Sequence, residues 1–126
     1  MTDKHTILVV DDEDALRQTI CAELTDAGLN VDSANDGDKA IEIIKQKKFE
    51  LVLLDVRMPT LNGIEVLKFI SQNYPTTKVI MLTALDDVKT ALAAKQYGAY
   101  NFVAKPYDLE DLLIIIHEAL GDPSPK

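Results

Sequence analysis

The chain predicts an α/β fold of the doubly wound kind, one parallel five-stranded sheet with five helices flanking it. Three observations carry this prediction. Five short apolar runs alternate with five segments whose apolar residues recur at helical spacing. The strongest run, Leu51-Val52-Leu53-Leu54, is apolar at every position, as expected of a strand covered on both faces. The strands are short and joined through helices, which is how parallel strands are connected. At 126 residues the chain makes one domain with a core of its own, without internal repeats or low-complexity blocks.

The elements follow in order. Ile7-Leu8-Val9-Val10 is a buried strand that ends in the acidic loop Asp11-Asp12-Glu13. Leu16, Ile20, Leu24 and Ala27 mark a first helix, closed by Gly28. Asn30 to Ala34 is a weaker strand, nearer an edge. Asp36-Gly37 starts a helix carrying Ala40, Ile41 and Ile44. Leu51 to Leu54 runs straight into Asp55, and Pro59 and Asn62-Gly63 then break the chain. Ile64, Leu67, Ile70 and Tyr74 mark a third helix, stopped by Pro75. Lys78 to Leu82 is a fourth strand leading into Thr83-Ala84. Val88 to Gln96 is an Ala-rich helix that Gly98 ends. Tyr100 to Val103 is a fifth strand, followed by Lys105-Pro106. Asp108 caps the last helix, and Asp111 favours its positive end. That helix carries Leu109, Leu112, Leu113, Ile116 and Leu120. The domain spans residues 4–120, and 121–126 read as a tail or the start of a linker. Right-handed crossovers leave few strand orders. The order 2-1-3-4-5 puts the two most apolar strands near the middle. Its switch point falls between strands 1 and 3, beside Asp11, Asp12 and Asp55.

Composition narrows the function classes. A net charge of −8 argues against direct nucleic-acid binding, which needs a basic footprint. Cys21 is the only cysteine, so no internal disulfide forms, in keeping with a reducing compartment. No apolar run approaches the length of a membrane span, and the N-terminus lacks the apolar core of a signal peptide. The expected location is the cytoplasm. His5 and His117 have no metal-type spacing and read as surface or packing residues.

Taken alone, Asp55 could merely begin a turn. Four features, however, gather at one edge of the sheet: Asp11-Asp12, Asp55, Thr83 and Lys105. Three carboxylates in one crevice repel one another unless a cation intervenes. Magnesium is the natural one, a hard ion that takes a few carboxylates and keeps waters. With Lys105 as a second positive charge and Thr83 as a hydroxyl donor, the set makes a receptor for a phosphoryl group, with Asp55 as nucleophile.

These residues occur in blocks that resemble the response-regulator receiver domains of bacterial two-component signalling. The blocks are Ile7 to Glu13, Leu53 to Pro59 with Asn62-Gly63, Leu82-Thr83-Ala84, and Gly98 to Pro106. The resemblance runs from about Lys4 to Leu120 and implies a flavodoxin-like sheet. It implies that Asp55 accepts the phosphoryl group. It also implies a magnesium site of Asp12 and Asp55, with Asp11 helping to hold the metal and the backbone carbonyl of Arg57 as a further ligand. Thr83, with Ala84 after it, takes the position that binds a phosphoryl oxygen and starts the switch. Lys105 pairs with the phosphate, and the bond to Pro106 is cis. Phe102 falls at the family's switch aromatic, where Tyr is common; otherwise it is a strand residue packing on the core. Arg57 and Leu85 stand where the family tunes phosphoryl lifetime, and neither is a water-orienting acid or amide, which leans toward slow self-dephosphorylation.

The implied donor is a sensor histidine kinase or a phosphotransfer protein. The implied output face is built from the fourth helix, fifth strand and fifth helix. An effector domain, a target protein or a second copy of the chain would read it. On the last helix, Leu109, Leu113, Ile116 and Leu120 project inward. Ile114 and Ile115 then either pack at the shoulders of the stripe or serve a partner. Such a domain assists its own phosphorylation and dephosphorylation but is not a turnover enzyme. One rival is a magnesium-dependent phosphohydrolase with an aspartyl intermediate. That class usually has an acid two residues past the nucleophile, where this chain has Arg57, and a cap insertion for which there is no room. The other rival is a phosphate-independent interaction module, whose site would have lost members.

Overall fold

The computed structural model describes residues 5–56, 63–84, 88–105 and 107–121, with the backbone alone described at 83, 84, 88, 90, 91 and 105. The elements are β1 (Thr6–Val10), α1 (Asp14–Asp26), β2 (Asn30–Ala34), α2 (Gly37–Gln46), β3 (Leu51–Asp55), α3 (Gly63–Asn73), β4 (Lys78–Ala84), α4 (Val88–Gln96), β5 (Asn101–Lys105) and α5 (Leu109–Leu120). All strand pairs are parallel and the order is β2-β1-β3-β4-β5, as expected.

Side-chain alternation along the strands divides the core into two layers. Leu8, Val10, Val52, Leu54, Val79 and Met81 face α2, α3 and α4, where they meet Ala40, Ile44, Val66, Leu67, Ile70 and Ala94. Ile7, Val9, Leu51, Leu53, Ile80 and Leu82 face α1 and α5, where they meet Ile20, Leu24, Leu112, Ile116 and Ala119. Every residue of β3 is buried, whereas edge strand β2 leaves Asn30 and Ser33 exposed.

Three details depart from the expectation. β4 and β5 each run further than their apolar residues indicate, because the ladder continues through Thr83↔Ala104 and Ala84↔Lys105. Thr83 and Lys105 are therefore strand residues, and so is Asp55 at the end of β3. Gly121, read as the first residue of the tail, is instead the cap of α5. It takes the left-handed conformation, φ 77°, that glycine adopts without a Cβ penalty. Finally, α5 is rotated from the projected stripe. Leu112, Ile116 and Ala119 form its buried line. Leu113 and Ile115 both flank that line against the core, so of the two isoleucines only Ile114 stays exposed, at 38%.

Two helix starts rest on the expected aspartates. The Asp36 carboxylate accepts from the Lys39 amide at 2.8 Å, and Asp108 accepts from the Glu110 amide at 2.9 Å. Replacing Asp36 with Ala leaves an amide of the first turn of α2 unpaired. It should lower the urea midpoint by the equivalent of about 1 kcal/mol, with the slope of the transition unchanged.

Candidate functional site

The site forms where β1 and β3 end side by side. Val10 pairs with Leu54, so Asp11 and Asp55 follow on adjacent strands. The Asp11 amide donates to the Ala34 carbonyl at 3.2 Å, continuing the ladder to β2 by one residue. The turn beyond is held from inside. Asp11 Oδ1 accepts from the Glu13 amide at 2.9 Å. The Arg17 guanidinium donates Nη1 to the Asp11 carbonyl at 2.8 Å and Nη2 to Asp14 Oδ1 at 2.7 Å. With a side chain only 13% exposed, Arg17 clamps the turn that carries Asp11 and Asp12.

Asp55 is clamped from two sides. It pairs with Leu82, and the Val56 amide donates to the Leu82 carbonyl at 3.1 Å. From the other side, the Gly63 amide donates to the Val56 carbonyl at 2.8 Å. That contact brings the start of α3 so close that a Cβ on Gly63 would lie 2.5 Å from the Asp55 carbonyl oxygen and 2.8 Å from Val56 Cα. Only glycine fits there.

Asp11 is fully buried and Asp55 is 5% exposed, while Asp12 faces solvent. One carboxylate oxygen from each of the three lies within 4.8 Å of the others. Opposite ligands of an octahedral magnesium stand about 4.2 Å apart, twice its bond length to oxygen. At up to 4.8 Å the three carboxylates stand slightly wider than this, so they would close by about half an ångström to hold one hard divalent cation, which would answer the repulsion among them.

The remaining expected residues divide into three groups. The ends of β4 and β5 bring the backbones of Thr83, Ala84 and Lys105 to the same edge as Asp55. Arg57, Leu85 and Pro106 lie outside the described residues, and with them the carbonyl ligand and the cis bond. Phe102 lies opposite Met81 and packs, half-buried, against the α2–α3–α4 side of the core. His5 is remote, with Nδ1 2.6 Å from Glu50 Oε2 at the opposite end of the sheet.

Sequence reasoning passed over Arg17, Tyr107 and the spacing role of Gly63. Arg17 hid among helix surface positions. Tyr107 follows two residues after Lys105, and its hydroxyl is buried. Burial, and then the charges of Asp11, Asp55 and Glu13, push its pKa up to about 12. Four large apolar side chains are exposed among the described residues. Leu92 (63%), Tyr97, Tyr100 and Ile114 belong to α4, the turn into β5, and α5.

Comparison with known proteins shows the family and agrees with the fold. Residues 7–117 match the response regulator receiver domain family. The regulatory protein AtoC of Escherichia coli K12 is 38% identical over 126 residues, covering all of this chain and 27% of AtoC. The chain thus spans about a quarter of the length of that relative. The receiver domain of NtrX from Brucella abortus superposes with a TM-score of 0.86 at 33% identity, covering 93% of this chain and 99% of that one. The chemotaxis protein CheY4 of Vibrio cholerae gives a TM-score of 0.87 at 30% identity, with 93% and 99% covered.

Gly63→Ala should cost about 1–3 kcal/mol of stability, because the new methyl meets backbone atoms that cannot turn aside. Urea unfolding of the purified variant measures this. No loss, or the gain that Gly→Ala brings at an exposed helical position, would show that α3 does not bear on Asp55.

Proposed function

This chain belongs to the response regulator receiver domains, and we propose that it is a phosphorylation-driven switch whose acceptor is Asp55. The observation that carries the reading is the convergence of Asp11, Asp12 and Asp55 within 4.8 Å at the end of a buried strand. A buried carboxylate at that place can be approached from the crevice but not from behind, where β3 is packed on both faces.

A carboxylate oxygen of Asp55 attacks the phosphorus of a phosphohistidine on a sensor histidine kinase or phosphotransfer protein. The P–O bond forms as the N–P bond breaks, and an aspartyl phosphate results. Asp11, Asp12, Asp55 and the Arg57 carbonyl would hold magnesium, which when bound neutralises charge on the phosphoryl oxygens. Lys105 pairs with the phosphoryl group from the end of β5. Thr83, at the end of β4, donates its hydroxyl to a phosphoryl oxygen. Because Thr83 leads toward α4, its closure shifts that helix and opens space for Phe102 on the neighbouring strand. A differential of a few kcal/mol between the two states suffices.

The reader of the switch docks on α4, β5 and α5, where Leu92, Tyr97, Tyr100 and Ile114 already leave apolar surface exposed. An effector domain, a target protein or a second copy would supply the matching face. The chain's net charge of −8 leaves any contact with nucleic acid to another domain. No described helix is long and apolar enough to cross a membrane, and we place the domain in the cytoplasm. Its chemistry serves signalling rather than substrate turnover.

Incubation with a small acyl-phosphate donor and magnesium should add one phosphoryl group, labile to hydroxylamine, at Asp55. Asp55→Asn should stay folded and unmodified by mass spectrometry. A stable adduct on Ser, Thr or His, or steady hydrolysis of a phosphomonoester, would sink the reading.

Thr83→Ala separates accepting phosphate from responding to it. It should still be phosphorylated at Asp55 yet lose most of the change in amide NMR shifts between Ala84 and Phe102. If the phosphorylated variant shows the full wild-type shift pattern, Thr83 is not the relay.

A further inference from the structure

The Tyr107 hydroxyl is a donor placed among acids. Its oxygen is closed off from solvent and has no hydrogen-bond partner among the described residues. The ring is half-buried against the α1–α5 side of the core, beside Leu109 and Leu113. Ring packing alone would be served equally by Phe, without burying a polar atom. A buried donor left unsatisfied is destabilising, and an ordered water commonly resolves it where other polar groups are near. Asp11 shares the face of Ile7 and Val9, and Asp55 that of Leu51 and Leu53, so both acids turn to the layer in which the Tyr107 ring packs. The charges of Asp11, Asp55 and Glu13 accordingly bear on this hydroxyl. Burial first, and then these charges, keep it protonated and hence a donor at any physiological pH.

We infer that Tyr107 is a positioning residue of the cation site: through one bridging water its hydroxyl donates into the Asp11–Asp55 carboxylate pair and holds it oriented for a divalent cation. This rests on the cation site proposed above. Groups that hydrogen-bond the ligands of a metal typically change its affinity by ten- to a hundredfold when removed. Donation to a carboxylate also favours its ionised form, the form that binds metal. Arg17 secures the same turn through the backbone carbonyl of Asp11, so Tyr107 would add control of the side chains themselves.

The test is calorimetric titration of magnesium chloride into the full chain, as wild type, Tyr107→Phe and Asp12→Ala, with urea unfolding of each in the absence of metal. Tyr107→Phe should bind magnesium about tenfold more weakly. Its metal-free stability should equal or exceed wild type, since the ring stays and the buried hydroxyl goes. Asp12→Ala should not bind. Wild-type affinity in Tyr107→Phe would overturn the inference while leaving the cation site intact. So would a loss of affinity matched by a loss of metal-free stability, which would mark a packing role. No magnesium binding by wild type, or undiminished binding by Asp12→Ala, would remove the cation site itself and the inference with it.

Discussion

A carboxylate at the end of a strand buried on both faces is the constraint around which the domain is arranged. Leu51 to Leu54 cannot face water on either side, so they occupy the middle of the sheet. The next residue, Asp55, is carried to the edge with its backbone already fixed by Leu82 on one side and by Gly63 through Val56 on the other. Burying a charge is costly unless something opposite or hydrogen-bonding meets it. Asp11 is buried beside it, which multiplies that cost. Acids gathered in one crevice in this way are what the proposed cation and phosphoryl group would answer, as a solvated acid would not need.

Charge is sorted along the strand direction. In a parallel sheet with crossover helices, the helix amino ends gather at the edge where Asp11, Asp12 and Asp55 lie. Their partial positive charge favours anions there. The carboxyl ends gather at the other edge, and cations meet those of α2 and α5. Lys45 lies in the last turn of α2, and Lys78 Nζ donates to the Ala119 carbonyl in the last turn of α5 at 2.7 Å.

The sheet was legible because its signals are local or strictly periodic. A fully apolar run can only be a covered strand in so short a chain, and Asp36 and Asp108 announce helix starts by a side-chain bond reaching two or three residues. What escaped was set by tertiary contact. The ladder between β4 and β5 recruits Ala104 and Lys105, which are not strand formers by composition, and Thr83, which lies past the apolar run. The rotation of α5 follows from its packing against the sheet. Among the acids, Asp11 and Asp55 stood out because they end apolar runs. Arg17 and Tyr107 sit on elements whose relation to those acids exists only once the chain is folded. Gly63 read as a turn former, whereas its decisive property is the atom it lacks beneath Asp55.

The strand order has a consequence for the chain as it is synthesised. β1 is flanked by β2 and β3, so the first three strands, ending at Asp55, can pair before the rest emerges. At that stage the three acids can already meet, but one edge of β3 lies open until β4 arrives, and β4 waits in turn for β5, which ends at Lys105. An unpaired edge is a hazard for misassociation, and pairing remote in sequence is slow. A nascent chain short of residue 105 therefore holds its carboxylates without the lysine, and without the surface by which phosphorylation would be noticed. On the proposed reading, the capacity to be modified is completed with Lys105, and the capacity to respond only when α5 follows it onto the output face.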